Sequence, residues 1–297
     1  MKELLVTGLL RFFSLLPLPV NHALGALIGW TFWRLPTKLG KITRLNLEYC
    51  MPELNTQQRE NIARKSLIET GKSLTELGPL WYWKAEKLLK QLTTSHQEIL
   101  EQAQHQNKGV IILTPHLGCW EIAGLEMAKR IPITSLYRPP RLAALDALSV
   151  KARERTGAKL VPTNTGGVKA LFAALAKQQA VGILPDQDPG NTGSVFAPFF
   201  NHAASTVSLI PRLIKKTGAR VIVVYAERLP YGRGYILHMH QPADNIYSED
   251  IMTAATAMNQ AIEHCIHKNP TQYQWSYKRF KTQPDDAENI YTSGINS

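Results

Sequence analysis

From residue 108 onward the chain alternates short, β-branched apolar runs with segments of helical spacing. That alternation constrains the fold more than any other feature. KGVIILT (108–114), ITSLY (133–137), KLVP (159–162), AVGILP (180–185), RVIVVYAERL (220–229) and YILHMHQ (235–241) read as strands. Between them WEIAGLEMAKR (120–130), LAALDALSVKARERTG (142–157), GGVKALFAALAKQ (166–178) and VSLIPRLIKKTG (207–218) read as helices. Residues 249–268 read as a last helix, and the stretch from 186 to about 205 as a polar loop. Such a pattern predicts an α/β sheet covered by helices. Residues 37–105 look helical and irregularly amphipathic, with a helix start at Thr56 ahead of QQRE. Leu80-Trp81-Tyr82-Trp83 within them is core or a second membrane-facing patch.

The segment TPHLGCWE follows the first of these strands directly, where a sheet of this class places its site, at the carboxyl end of a strand. His116 falls in the turn and Glu121 in the first turn of the next helix, so the two side chains are expected to meet. A neutral imidazole accepts a hydroxyl proton, and a carboxylate on its other nitrogen fixes the tautomer and stabilises the imidazolium. No Ser or Cys stands in a G-x-S-x-G nucleophile elbow. The chemistry that fits is direct attack of a base-activated hydroxyl on an acyl donor, without an acyl-enzyme. Cys119 is expected to point into packing. A buried His–Glu hydrogen bond of no catalytic purpose would use the same two residues. A metal centre fits poorly, because H-x₄-E is not H-E-x-x-H and no third ligand follows at an obvious spacing.

Residues 12–33, FFSLLPLPVNHALGALIGWTFW, contain no Asp, Glu, Lys or Arg. Twenty-two such residues could cross a hydrocarbon core of about 30 Å at 1.5 Å per residue, although Pro17, Pro19, Asn21 and His22 interrupt them. No cleavage signal follows. Basic residues lie on both sides (Lys2 and Arg11; Arg34, Lys38, Lys41 and Arg44), and Trp30, Phe32 and Trp33 sit where an interfacial belt would. Residues 1–35 are therefore expected to be a membrane-associated segment, spanning or interfacial, ahead of one catalytic domain at 36–297; the alternative is a pair of buried core helices kinked at the prolines.

The net charge of +11, from 34 Lys and Arg against 23 Asp and Glu, asks for an anionic partner. Nucleic acid is disfavoured, since no basic groove with stacking aromatics and no nucleic-acid module is legible. An anionic membrane, an acidic carrier of the acyl donor, or a phosphorylated acceptor remain. Arg212, Lys215, Lys216 and Arg220 are a candidate docking patch for such a carrier. Three scattered cysteines (Cys50, Cys119, Cys265) provide no disulfide framework.

TPHLGCWE resembles the H-x₄-E block of the bacterial lipid A biosynthesis acyltransferases, a branch of the glycerolipid acyltransferase superfamily in which H-x₄-D is the commoner form. The resemblance runs nearly end to end, through LLRFFSLLPL, LGALIGWTFWRLP, YRPPR (137–141), KARERTGAKLVP (151–162), LPDQDPG (184–190), VFAPFFNHAASTV (195–207), RLIKKTGARVIVVYAERL and YQWSYKRFKTQP (273–284). It implies a mixed central sheet flanked by helices, with the N-terminal helical membrane anchor. It implies His116 as general base with Glu121 as its orienting partner, Arg153 as a positive group at the site, and Asp186 as an acidic residue facing that Arg. Trp120, Tyr137, Arg138 and Gln187 are the candidate substrate contacts; Arg138, just past a strand, could reach a phosphate. An acyl chain would pass from acyl carrier protein to a hydroxyl of a phosphorylated lipid A precursor, at the cytoplasmic face of the inner membrane, with no metal or cofactor. Leu142-Ala143 stand after Arg141 where the family often has Asn-Pro, which leaves acceptor contacts in that loop open. A lysophospholipid, aminolipid or other glycolipid acceptor is the alternative enzyme reading, and a lipid-binding membrane protein without chemistry is the non-catalytic one.

Overall fold

A computed structural model describes residues 2–140, 142–284 and 289–293. In chain order its elements are α1 (Lys2–Ser14), α2 (Leu18–Arg34), α3 (Lys38–Cys50), α4 (Thr56–Tyr82), α5 (Ala85–Leu89), β1 (Leu92–Thr94), α6 (Glu98–His105), β2 (Val110–Leu113), α7 (Trp120–Arg130), β3 (Ile133–Tyr137), α8 (Ala143–Glu154), β4 (Lys159–Pro162), α9 (Thr165–Ala176), β5 (Ala180–Ile183), β6 (Ser194–Phe199), β7 (His202–Val207), α10 (Leu209–Thr217), β8 (Arg220–Arg228), β9 (Tyr235–His240), α11 (Ile251–Lys268) and α12 (Ile290–Ser293).

Seven strands form one mixed sheet in the order β1-β9-β8-β2-β5-β3-β4. All neighbours are parallel except β8 and β9, which the YGRG turn joins as an antiparallel pair. β2 lies between β8 and β5 and is buried along its whole length, as an uninterrupted VIIL run requires. Its side chains alternate between two cores. Ile111 and Leu113 join the cluster shared with α9, α10 and α11, whereas Val110 and Ile112 join the one shared with α5, α6 and α7. The α/β sheet expected from the alternating pattern is therefore present, with helices on both faces.

Two strand regions were not legible. Residues 194–207, expected as loop, form a β6–β7 hairpin outside the main sheet. Phe200 and Asn201 make its two-residue turn with φ of 49° and 63°, the type I′ geometry that suits hairpin twist. Burial of the Phe200 ring against Trp275, 5.7 Å between centroids, offsets the strain of φ > 0 at a bulky residue. Leu92–Thr94, expected as helix, pairs with β9 at the sheet's edge.

The N-terminal segment departs from expectation. Among the described residues no helix is long and apolar enough to cross a membrane. The uncharged stretch is broken at residues 15–17, where α1 ends and Pro17 precedes α2, with Pro19 in the first turn. Its two polar residues are turned inward. Asn21 donates to the Phe13 and Thr75 carbonyls, both at 3.1 Å, and His22 Nε2 lies 3.0 Å from Glu76 Oε2. Gly25 and Gly29 bring α2 against α4 at backbone distance: a Cβ on Gly29 would lie 2.2 Å from the Leu67 carbonyl, and one on Gly71 2.1 Å from the Gly25 carbonyl. The run LGALIG thus serves a close helix crossing rather than a span. α1 packs on the same helix near Gly78.

The paired helices present apolar side chains outward. Leu4, Leu5, Leu9 and Phe12 occupy one exposed arc of α1, with Leu15 exposed just past its end; Val20, Leu27 and Trp30 occupy one of α2. Arg11, Arg34 and Lys38 are exposed beside them.

Candidate active site

β2 and β5 are adjacent parallel strands with Leu113 opposite Ile183, and the chain leaves them as Thr-Pro-His and Leu-Pro-Asp. His116 and Asp186 therefore stand at equal distances beyond paired strand ends, side by side at the carboxyl edge of the sheet. His116 Nδ1 is 2.9 Å from Asp186 Oδ1, and the His116 backbone N–H donates to Asp186 Oδ2 at 2.9 Å. Asp186 is buried. Burial alone would raise its pKa, but the His116 charge and the hydrogen bonds from His116 outweigh that, and the carboxyl is held below its ordinary value. An ionised carboxylate can only accept, so it keeps the imidazole proton on Nδ1. Nε2 is left with its lone pair, which receives the Gln187 amide N–H at 3.1 Å.

This corrects the expected partnership. Glu121, in the first turn of α7, binds Arg153 of α8 in a fork, while His116 Nδ1 is bonded to Asp186. Arg153 Nη2 is 2.6 Å from Glu121 Oε1, and Arg153 Nε is 2.9 Å from Oε2. The two carboxylates have exchanged roles: Asp186 orients the His, and Glu121 holds the Arg. Adjacent strand ends bring Asp186 beneath the imidazole, whereas the first turn of α7 faces the neighbouring α8. Burial tends to lower the Arg153 pKa, but the Glu121 carboxylate reverses this and raises it. The half-buried Trp120 ring links the two pairs, 5.5 Å from the His116 ring and 5.1 Å from the Arg153 guanidinium carbon.

The loop between the pairs is tightly seated. Gly118 has φ +64°, and a Cβ there would lie 2.0 Å from the Ala226 carbonyl oxygen. The same oxygen accepts the Cys119 N–H at 2.8 Å. Cys119 is buried in the core, and burial drives its thiol well above the ordinary value, so it is packing and not a nucleophile.

The other anticipated contacts divide. Gln187 lies on His116. Tyr137 ends β3, half-buried, and Arg138 is exposed just past it; Arg141 lies outside the described residues. Gln274 was missed. Its N–H donates to the His116 carbonyl at 3.1 Å, and its Oε1 is 3.5 Å from Gln187 Nε2. The QWSY run gave no local signal for this, because 274 reaches the site only through the tertiary fold. Asp188, also in PDQD, is structural: it accepts the Gly190 and Thr282 backbone N–H groups at 2.7 and 2.9 Å.

Of the residues offered as a carrier-docking patch, Arg220 opens β8 in register with Val110, the first residue of β2, and so lies at the sheet edge opposite His116; Arg212, Lys215 and Lys216 are exposed on α10. Lys215 is also engaged with Glu249 at 2.8 Å.

The model of the family described as "Bacterial lipid A biosynthesis acyltransferase" matches residues 2–282. The chain belongs to this family. It is 30% identical to the lipid A biosynthesis lauroyltransferase of Escherichia coli (strain K12) over 285 residues, 96% of this chain and 92% of the relative. It is 32% identical to the palmitoleoyltransferase of the same strain over 287 residues, again 96% and 92%. With the lipid A myristoyltransferase of that strain it shares 27% over 269 residues, 87% and 83%. As a lipid A acyltransferase family member the chain is a transferase of acyl groups, and its fold carries a His–Asp pair at the sheet's carboxyl edge.

Proposed function

We propose that the chain transfers a fatty acyl group from the thioester of acyl carrier protein to a hydroxyl of a phosphorylated lipid A precursor, with His116 as general base. The 2.9 Å His116–Asp186 contact carries this reading, because it leaves Nε2 as the proton acceptor. The acceptor hydroxyl takes the place of the Gln187 amide on Nε2. As its oxygen attacks the thioester carbonyl, Nε2 takes the proton and Asp186 stabilises the imidazolium. Collapse of the tetrahedral intermediate breaks the C–S bond, and the imidazolium returns the proton to the leaving thiolate. Arg153, fixed by Glu121, is a permanent cation for the developing oxyanion or an acceptor phosphate.

The exposed apolar arcs of α1 and α2 lie in the interface of an anionic bilayer, at the inner membrane's cytoplasmic face, with Arg11, Arg34 and Lys38 toward the headgroups. α1 contacts α8, the helix that carries Arg153, so an acceptor drawn from the bilayer arrives beside the site. The carrier docks on this same edge of the sheet.

His116→Ala should lower kcat by about 10²–10⁴-fold in an assay with acyl carrier protein thioester and lipid A precursor. Turnover near wild type would overturn the mechanism. Lipid profiling of a deletion strain tests the acceptor: unchanged lipid A with another lipid altered would transfer the reading to that lipid.

A further inference from the structure

Behind the site lies an ion cluster that the mechanism above does not use. Arg228, the last residue of β8, has a side chain only 1% exposed. Its Nε donates to Glu76 Oε2 at 2.9 Å and its Nη2 to the other oxygen of the same carboxylate. Nη1 reaches Glu69 Oε2 at 2.7 Å, and Nη2 also reaches Ser73 Oγ at 3.1 Å. Glu76 further accepts the Tyr235 hydroxyl at 3.1 Å and lies 3.0 Å from His22 Nε2. Burial opposes both charges. The Arg228–Glu76 attraction nevertheless raises the one pKa and depresses the other, so both groups stay ionised.

Stability alone does not account for such a cluster, since buried ion pairs are often no better than apolar packing of the same volume. One of its bonds leads to the site: Arg228 Nη2 donates to the Gly118 carbonyl at 3.3 Å. The backbone of the same residue is joined to Gln272 in both directions, at 2.8 Å each, and the Gln272 carbonyl accepts the Gly118 N–H at 3.1 Å. Both peptide faces of Gly118 therefore end on Arg228, one directly and one through Gln272. Gly118 stands midway in the loop, after His116 and before Trp120 and Glu121.

We propose that Arg228, locked by Glu76, is a positioning residue that sets the relative placement of the His116–Asp186 pair and the Glu121–Arg153 pair. The cluster takes Glu69, Ser73 and Glu76 from α4 and His22 from α2, so it also ties the helices of the proposed membrane face to that loop. A displacement of about 1 Å in a site of this kind costs on the order of 10²-fold in rate. The inference rests on the reading of His116 as the base.

Two variants of the full chain test it. Arg228→Lys keeps the charge but loses the fork that spans Glu76 and Gly118. The double variant Arg228→Met, Glu76→Gln removes both charges together and leaves no buried ion unpaired. In each, kcat is expected to fall at least tenfold, with KM for the carrier thioester within about twofold of wild type. The NMR resonance of the His116 Nδ1 proton is expected to move. A purely structural role would lower activity only in step with the folded fraction measured by circular dichroism, and that result, or wild-type kcat in both variants, overturns the proposal. His116→Ala in the same assay keeps the two readings apart. Turnover that survives it overturns the base assignment, while the Arg228 variants are read against wild type either way.

Discussion

At the residue scale the site depends on which carboxylate serves His116 and which serves Arg153. Asp186 is the partner of His116, so Asp186→Asn is the variant that separates charge from shape. An amide in that place can present either N–H or C=O to Nδ1, and the neutral side chain no longer stabilises the imidazolium. kcat is expected to fall on the order of 10²–10⁴-fold, as for loss of the base itself, with donor KM little changed. The same substitution has a signature in stability. The carboxyl is depressed below its ordinary value of 3.8. The stability it contributes is therefore complete above that value and is lost as pH falls through the depressed folded-state value. Acid melting curves of Asp186→Asn should lack this component below about pH 4; an acid limb that coincides with wild type would show that the carboxylate is not the charged partner. Glu121 acts one step away, and its identity was open to misreading for a physical reason. Spacing along the chain ranks Glu121 as the nearest carboxylate to His116, five residues on. The contact that forms crosses from one strand end to its neighbour, between residues seventy apart. The matched endings Thr-Pro-His and Leu-Pro-Asp after two apolar strands carried the information, but only once β2 and β5 are known to be adjacent.

At the scale of elements, the strands with continuous apolar runs and the helices of regular period were legible, because burial on both faces leaves little ambiguity in VIIL or VIVVYA. β1 and the β6–β7 hairpin were not. The first is three residues at an edge, two half-buried and one exposed, and the second contains Pro198 and stands off the main sheet. Residues 12–33 do not form one segment, because absence of charge does not distinguish a lipid-facing surface from a helix-packing one. Their pattern divides instead into an inner face of Asn21, His22, Gly25 and Gly29 and an outer apolar one. The inner face makes a testable demand. Gly29→Ala places a methyl against the Leu67 carbonyl and Ile68 Cα, both backbone atoms that cannot yield cheaply. The overpacking should cost about 1–3 kcal/mol, seen as a lower denaturation midpoint. Gly8→Ala on α1 meets nothing within 4 Å and should be neutral, or stabilising by up to about 1 kcal/mol through helix propensity. Equal effects of the two substitutions would remove the case for the close α2–α4 crossing.

At the scale of the whole molecule, the positions of the N-terminal helices and of the site follow from one geometric fact. Arg228 and His116 both lie at the carboxyl edge of the sheet, and Arg228 is bonded to α4, on which α1 and α2 pack. The helices that carry the exposed apolar arcs are thus tied to the same edge of the sheet as the His116–Asp186 pair, the arrangement that the proposed acceptor delivery from a bilayer calls for. The basic excess divides accordingly. Arg11, Arg34 and Lys38 flank the apolar arcs, whereas Arg212, Lys215 and Lys216 are exposed on α10, which packs on α9 and α11. Co-sedimentation with vesicles containing anionic phospholipid should show binding that weakens as salt rises, because exposed charges are screened within about 10 Å at 0.1 M. Leu9→Glu with Phe12→Glu, both exposed and outside the site, should abolish that binding while turnover of a detergent-dispersed acceptor persists. The same charge reversal on α10, Arg212→Glu with Lys216→Glu, should leave vesicle binding within about twofold. Loss of binding from the α10 pair but not from the α1 pair would place the lipid contact at α10, and the shared-edge arrangement of membrane and site would fall with it.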